Sequence, residues 1–268
     1  MGSRSMRRLS RSEERTRICV PVIETTVEKA REAIKEANHV ADLIELRTDY
    51  LKDHQWATLM MDRRKPFIIT NRGREEGGRF RGNERERFRI LKEAVLWSAE
   101  FVDIEMRSNR SLLRNMIENR NGTKIILSRH NFYGTPSPKE LRSLFDRMIR
   151  LRPDVVKIVT FARSLEDNLN VLSLIPYALG EKKKIVAFCM GEKGKMSRIF
   201  SPLLGAAWTF ASLSRDRASA PGQLTAGQMR DIWKSIRVGT NRNDCVGTTA
   251  IPARIDTVVP TPDHGRLR

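Results

Sequence analysis

A lysine sits at the centre of a run of β-formers, Asp154-Val155-Val156-Lys157-Ile158-Val159-Thr160, and it is the residue of the chain that most needs a reason. An apolar, β-branched run of this length reads as a strand buried on both faces, where an ammonium is costly unless it is paired or neutral. Two readings follow from the strand alone. In one, the stem packs while the head is paired to a carboxylate or snorkels to the strand end. In the other, desolvation lowers the amine's pKa and readies it to attack a carbonyl. Of the four histidines, His39, His54 and His264 fall on helix or tail positions and read as surface residues, whereas His130 stands just past the end of the strand that precedes the lysine run. A lysine and a histidine beside carboxylates and arginines could do imine chemistry on an acidic keto compound. The amine would form a Schiff base, the imine would acidify the adjacent carbon, the imidazole would move protons, and an arginine would hold a carboxylate.

The elements that must position these groups alternate along the chain. Strands are predicted over 18–22, 41–46, 67–70, 101–105, 124–128, 154–160, 184–188 and 206–211, and helices over 26–37, 84–99, 138–151, 164–180 and 224–238. A short helical segment ends near Arg63-Arg64-Lys65, and 72–82 is a loop in which Gly77-Gly78 would break any helix. Pro138 opens its helix at the first turn, where a missing N–H costs nothing, and Ser164-Leu165-Glu166-Asp167 resembles an N-cap with an acidic third position. Eight strands alternating with helices predict an α/β fold, a (β/α)8 TIM barrel forming one catalytic domain over 18–238. A doubly wound sheet is the alternative, but the first strand-to-helix turn has no G-x-G-x-x-G, so no dinucleotide site is signalled.

In such a barrel catalytic groups gather at the C-terminal ends of the strands. At those positions stand Glu45 and Arg47, Arg72 with Glu76, Ser128-Arg129-His130, Lys157, then Lys193, Lys195 and Arg198, and finally Ser219-Ala220-Pro221-Gly222-Gln223. Neighbouring strands lie about 4.8 Å apart, so His130 and Lys157 can converge on one small molecule.

Composition narrows the classes. Hydrophobic residues make up 40% of the chain and charged ones 31%, which suits a soluble globular protein. The absence of an apolar membrane span or signal-peptide core predicts a cytoplasmic protein with no membrane partner. Cys19, Cys189 and Cys245 are odd in number and lack C-x-x-C pairing, which argues against a disulfide framework or a zinc site; Cys19 and Cys189 read as small buried hydrophobes. His130 has no second His or Cys at ligand spacing, so no metal is implied. A net charge of +18 and a pI near 10.5 point to an anionic partner. Arginines spread along many helices, with only 6% aromatic residues, argue for a basic surface that attracts an anionic substrate rather than for nucleic acid. Residues 1–17 read as a disordered basic arm and 239–268 as a flexible tail.

Taken together, the strand-end residues resemble the type I 3-dehydroquinate dehydratases of the shikimate pathway. The resemblance covers 18–238. It rests on Glu45-Leu46-Arg47, Arg72 with Glu76-Gly77-Gly78, Ser128-Arg129-His130-Asn131-Phe132, Lys157, the segment from Met190 to Ser197-Arg198, and Ser219 to Gln223. It implies that Lys157 condenses with the C3 ketone of 3-dehydroquinate. His130 would abstract the C2 proton and later protonate the departing C1 hydroxyl, giving 3-dehydroshikimate and water, while Glu76 orients His130. It further implies that Arg198 pairs with the substrate carboxylate, that Glu45, Arg47, Arg72, Ser219 and Gln223 bind hydroxyls or order each other, and that Met190 forms an apolar wall. No cofactor is implied, and the family suggests a homodimer. The chain departs from the family pattern at Phe188, where a second methionine is common, and at Asn131, where an aspartate is common. Arginines near Lys157 are expected to disfavour its protonated form. Two alternatives stay open: a class I aldolase, for which no Gly-rich phosphate loop is visible, and a basic nucleic-acid-binding protein on a barrel scaffold.

Overall fold

Strand β1 (Ile18–Val22) leads into helix α1 (Val27–Val40), and the chain then alternates through β2 (Leu43–Arg47), β3 (Phe67–Thr70), α2 (Glu84–Leu96), β4 (Phe101–Glu105), α3 (Arg110–Glu118) and β5 (Lys124–His130). It continues through α4 (Pro138–Ile149), β6 (Val155–Phe161), α5 (Glu166–Leu172), α6 (Leu174–Gly180), β7 (Lys184–Met190), α7 (Lys195–Leu203), β8 (Thr209–Phe210) and α8 (Ala226–Arg237). This is a computed structural model, and it describes residues 16–52 and 55–237. All strand pairs are parallel, in the order β8-β1-β2-β3-β4-β5-β6-β7. Ala207 N donates to Ile185 O at 2.8 Å and draws the approach to β8 against β7, so the sheet curls into a nearly closed eight-stranded barrel.

Two cores result from the period-2 alternation of the strands. Val20, Ile44, Ile69, Leu127 and Ile158 face outward and pack with helix residues such as Ile34, Leu91 and Phe145. Cys19, Ile68, Ile126, Val155, Val159, Val186 and Phe210 fill the interior, where Phe101 and Trp208 meet edge-on across the barrel with ring centroids 5.4 Å apart. Helix starts are fixed locally: Asn83 with Glu86 and Ser137 with Glu140 form capping boxes, the second with Pro138 in the first turn.

Several expected elements change at their ends or within. The expected helix over 164–180 is two helices, α5 and α6, broken near Ser173, because Pro176 has no N–H to continue the ladder. Helix α3 was not read from the sequence; it buries only Leu113 and Met116, too thin a stripe to signal itself. Strands β5 and β7 run two residues further than expected, through the polar Arg129-His130 and through Cys189-Met190. The eighth strand shrinks from 206–211 to Thr209–Phe210. Cys19 and Cys189 are buried free thiols. No helix among the described residues is long and apolar enough to cross a membrane. The arm at 1–17, save Thr16 and Arg17, and the tail at 239–268 lie outside the described residues, as do His54, Cys245 and His264.

Candidate active site

Lys157 occupies an inward position of β6 between Val155 and Val159, and its ladder partner on β5 is Ser128. His130, two residues on, therefore shares the same inner face one step nearer the mouth. Lys157 is buried, with Nζ 3.0 Å from Asp103 Oδ2, 3.4 Å from Glu45 Oε1 and 4.4 Å from the ring centroid of Phe210. The other oxygen of Asp103 accepts from Ser128 Oγ at 2.5 Å and pairs with Arg72 Nη2 at 2.7 Å. Glu45 Oε1 also accepts from Thr70 Oγ1 at 2.8 Å. Arg72 spreads over Asp103, Glu105 at 3.3 Å and Glu76 at 3.9 Å. Burial alone would lower the Arg72 pKa, but these carboxylates outweigh it and hold the guanidinium firmly charged. Burial would likewise raise Asp103, yet Arg72 and Lys157 keep it well below the usual carboxylate range.

The loop after β3 delivers Glu76 to the same mouth. Gly77 lies at φ +79°, and a Cβ on Gly78 would fall 1.9 Å from Arg72 O, so this glycine pair is what allows the chain to fold back on itself. Glu76 Oε2 accepts from His130 N at 3.0 Å and lies 2.9 Å from His130 Nδ1, while Oε1 accepts from Arg129 Nη1 at 3.1 Å. The Glu76 pKa is lowered because the His130 contact and the charges of Arg72 and Arg129 overcome its burial. An ionised carboxylate can only accept, so the imidazole proton resides on Nδ1 and Nε2 keeps its lone pair. Burial, then the charge of Arg72, lowers the His130 pKa to about 4, leaving a neutral ring near pH 7. Phe132 stacks against it at 6.4 Å between centroids.

Across the mouth, α7 holds Arg198 fully inside. Its guanidinium lies 4.4 Å from the Phe188 ring centroid, and among the described residues its Nε and Nη2 have no hydrogen-bond partner. Burial without a carboxylate lowers its pKa to about 10. The loops after β7 and β8 meet here: Gly222, at φ +73°, approaches so closely that a Cβ would lie 2.1 Å from Gly191 O. Ser219 N and Oγ donate to Gln223 Oε1 at 2.8 and 3.1 Å, Gln223 Nε2 has no partner among the described residues, and Met190 is buried nearby in the interior cluster. The mouth thus combines a buried primary amine, a neutral imidazole oriented by a carboxylate, and a buried guanidinium with no carboxylate partner among the described residues. Such a set can form an imine beside a carboxylate-bearing ketone and move a proton at the adjacent carbon.

A family model described as type I 3-dehydroquinase matches residues 18–240. The chain belongs to the type I 3-dehydroquinase family. It is similar to a 3-dehydroquinate dehydratase of Methanocaldococcus jannaschii, 39% identical over 81% of this chain and 97% of the relative. A Dehalococcoides mccartyi 3-dehydroquinate dehydratase is 41% identical over 76% of this chain and 90% of the relative. Among solved structures, 3-dehydroquinate dehydratase from Geobacillus kaustophilus superposes with a TM-score of 0.77, at 29% identity, over 85% of this chain and 93% of that one.

Within this member of the 3-dehydroquinase family, Lys157, Glu45, Arg72, Glu76 and His130 form one network of hydrogen bonds and ion pairs, with Arg198, Met190, Ser219 and Gln223 on the opposite wall. Lys193 and Lys195 are spent outside it, on Arg163 O and Glu192. Arg47 does not pair with Glu45; it makes a two-pronged bond to Asp49 at 2.8 and 2.7 Å and lies 4.9 Å from the Tyr50 ring centroid. The arginines expected around the amine are also displaced: Lys157 Nζ contacts carboxylates, and Arg72 is held on the far side of Asp103. Asp103 and Glu105 were missed from the sequence. Their signal was present, since charges at positions 103 and 105 of a buried strand share one face, the same anomaly that singles out Lys157.

Proposed function

We propose that this hydro-lyase converts 3-dehydroquinate to 3-dehydroshikimate in the shikimate pathway through an imine on Lys157. The observation that supports this most strongly is the meeting, in one barrel mouth, of the buried Lys157 amine, the His130–Glu76 pair and the Arg198 guanidinium, whose Nε and Nη2 have no hydrogen-bond partner among the described residues. Arg198 receives the substrate carboxylate, with Ser219 and Gln223 on the hydroxyls beside it and Met190 as an apolar wall. After losing a proton, Nζ adds to the C3 carbonyl, and the carbonyl oxygen leaves as water. Asp103 and Glu45 offset the positive charge on this nitrogen, first as ammonium and then as iminium. Neutral His130 takes the C2 proton through Nε2; the electron pair expels the C1 hydroxyl, which departs as water with the proton His130 returns. Hydrolysis of the imine releases product and restores the amine. The imine is the electron sink, so this reading calls for no cofactor. It also makes 18–238 the catalytic domain of a cytoplasmic homodimer without nucleic-acid or membrane partners, consistent with a basic surface that attracts an anionic substrate.

Borohydride reduction in the presence of 3-dehydroquinate, followed by peptide mass mapping, tests the assignment. An adduct on Lys157 supports it; turnover surviving in Lys157→Ala, or no adduct on any peptide, sinks it. His130→Ala should still allow the imine to be trapped while turnover drops about 10²- to 10⁴-fold, the range of a lost general acid–base.

A further inference from the structure

The reaction makes no use of a groove of about 660 Å3 on the outside of the barrel, between the ends of β5 and β6 and helix α4. Its apolar lining includes Pro136, Leu144 and Ile158, and its cations are Arg129, Lys139 and Arg147. The one carboxylate on the lining, Glu140, is already engaged by Ser137 N at 2.9 Å and Ser137 Oγ at 2.7 Å in the capping box. Arg147 donates to the neutral Ser143 Oγ at 2.8 Å, and among the described residues neither it nor Lys139 has a carboxylate partner. A groove this size lies within the usual range of small-ligand sites, roughly 300–1,000 Å3. Apolar walls beside Lys139 and Arg147, cations without a carboxylate partner among the described residues, suit an anion carried on an apolar ring.

We propose that this groove binds a small carboxylate with an aromatic or alicyclic body, and that its occupancy slows turnover by drawing Arg129 off Glu76. Arg129 is the link because it lines the groove and also reaches inward to Glu76 Oε1 at 3.1 Å. That is the sole hydrogen bond to this oxygen among the described residues, while the other oxygen holds His130. Glu76 and a bound carboxylate compete for one guanidinium, which gives two states that a ligand can bias through its own contact. Once Arg129 turns outward, Glu76 keeps only its Oε2 contacts with His130 and Arg72, and it holds the imidazole less firmly. Arg129 is thus a positioning residue acting through Glu76. The inhibition rests on the catalytic reading of His130 and Glu76, whereas binding does not.

The probe is 2-naphthoate, with 2-naphthamide as its uncharged control, titrated calorimetrically into the full chain. Naphthoate should bind, more tightly than the amide, and binding should persist in Lys157→Ala and Arg198→Met. It should weaken about tenfold or more in Lys139→Glu/Arg147→Glu, a charge reversal at two cations. In the wild-type chain, naphthoate should lower kcat about fivefold or more with the KM for 3-dehydroquinate unchanged. Arg129→Met should start with a reduced kcat that naphthoate no longer changes, and Arg129→Lys should recover part of it. Binding that vanishes in Arg198→Met, or that competes with substrate, would place the probe in the active site and overturn the proposal. So would no measurable binding, or binding that the groove reversal leaves intact. Groove binding with unchanged kcat would overturn the link through Arg129. If instead the Lys157 adduct is never found, the catalytic reading fails while the calorimetry still decides the site.

Discussion

Arg72 and Arg198 are both buried, charged and placed at the rim of the same barrel, and they live in opposite electrostatic surroundings. Arg72 is enclosed by Asp103, Glu105 and Glu76, and these charges overcome burial and raise its pKa. Arg198 has an aromatic face and, among the described residues, no carboxylate, so burial prevails and lowers its pKa to about 10. A cation that costs desolvation energy and receives no compensation from the protein is a place for an anionic ligand; one compensated three times is part of the scaffold. The site divides accordingly. The β2–β5 wall is a charge network that fixes Lys157 and His130, and on the mechanism proposed above the β7–β8 wall receives the substrate.

Removing each arginine separates the two roles most directly. Arg72→Met should lower stability by about 3–5 kcal/mol in urea unfolding, since it removes the one cation shared by the buried carboxylates of Asp103, Glu105 and Glu76. A loss below 1 kcal/mol would show that the network is less tightly coupled than its geometry implies. Acidification should strip the same wall next. The unfolded chain takes up a histidine proton near pH 6.5, but folded His130 does so only near pH 4, so stability falls as pH drops through that window, by about 3 kcal/mol. The lowered pKa of Glu76 acts in the same direction, its contribution being lost as pH falls. Urea midpoints at pH 7 and pH 4.5 should therefore diverge more in the wild-type chain than in His130→Gln. Arg198→Met should give the smallest effect on stability, unchanged or slightly increased, because it removes an uncompensated buried charge. Its cost should appear in KM instead, about 100-fold higher, as expected when a buried partner for the substrate anion is lost. Equal destabilisation by both arginine variants would erase the distinction between scaffold and binding cation.

Much of this was legible along the chain. Lys157 announced itself because an ammonium conflicts with the apolar run around it, and His130 because it stands just past the end of the strand predicted beside it. Helix α3 and the break between α5 and α6 were not, since a two-residue buried stripe carries little periodic signal and Pro176 interrupts an otherwise continuous helical pattern. Arg47 shows where strand-end reasoning stops. It stands at the expected rim position, yet its partner is Asp49, two residues on, a choice made by the turn that follows β2.

Local sequence dictated the alternation of strands and helices, the division of each strand's residues between two faces, and most of the charged residues at the strand ends. These follow from local periods of 2 and 3.6 residues and from capping chemistry that needs only near neighbours. Barrel closure decided the pairings: Lys157 with Asp103, 54 residues away, and with Glu45, 112 residues away. It also decided that Arg72 would be satisfied and Arg198 left bare. Those outcomes depend on which inward side chains the curled sheet brings within hydrogen-bond reach, a distance set by strand register and closure rather than by any stretch of sequence.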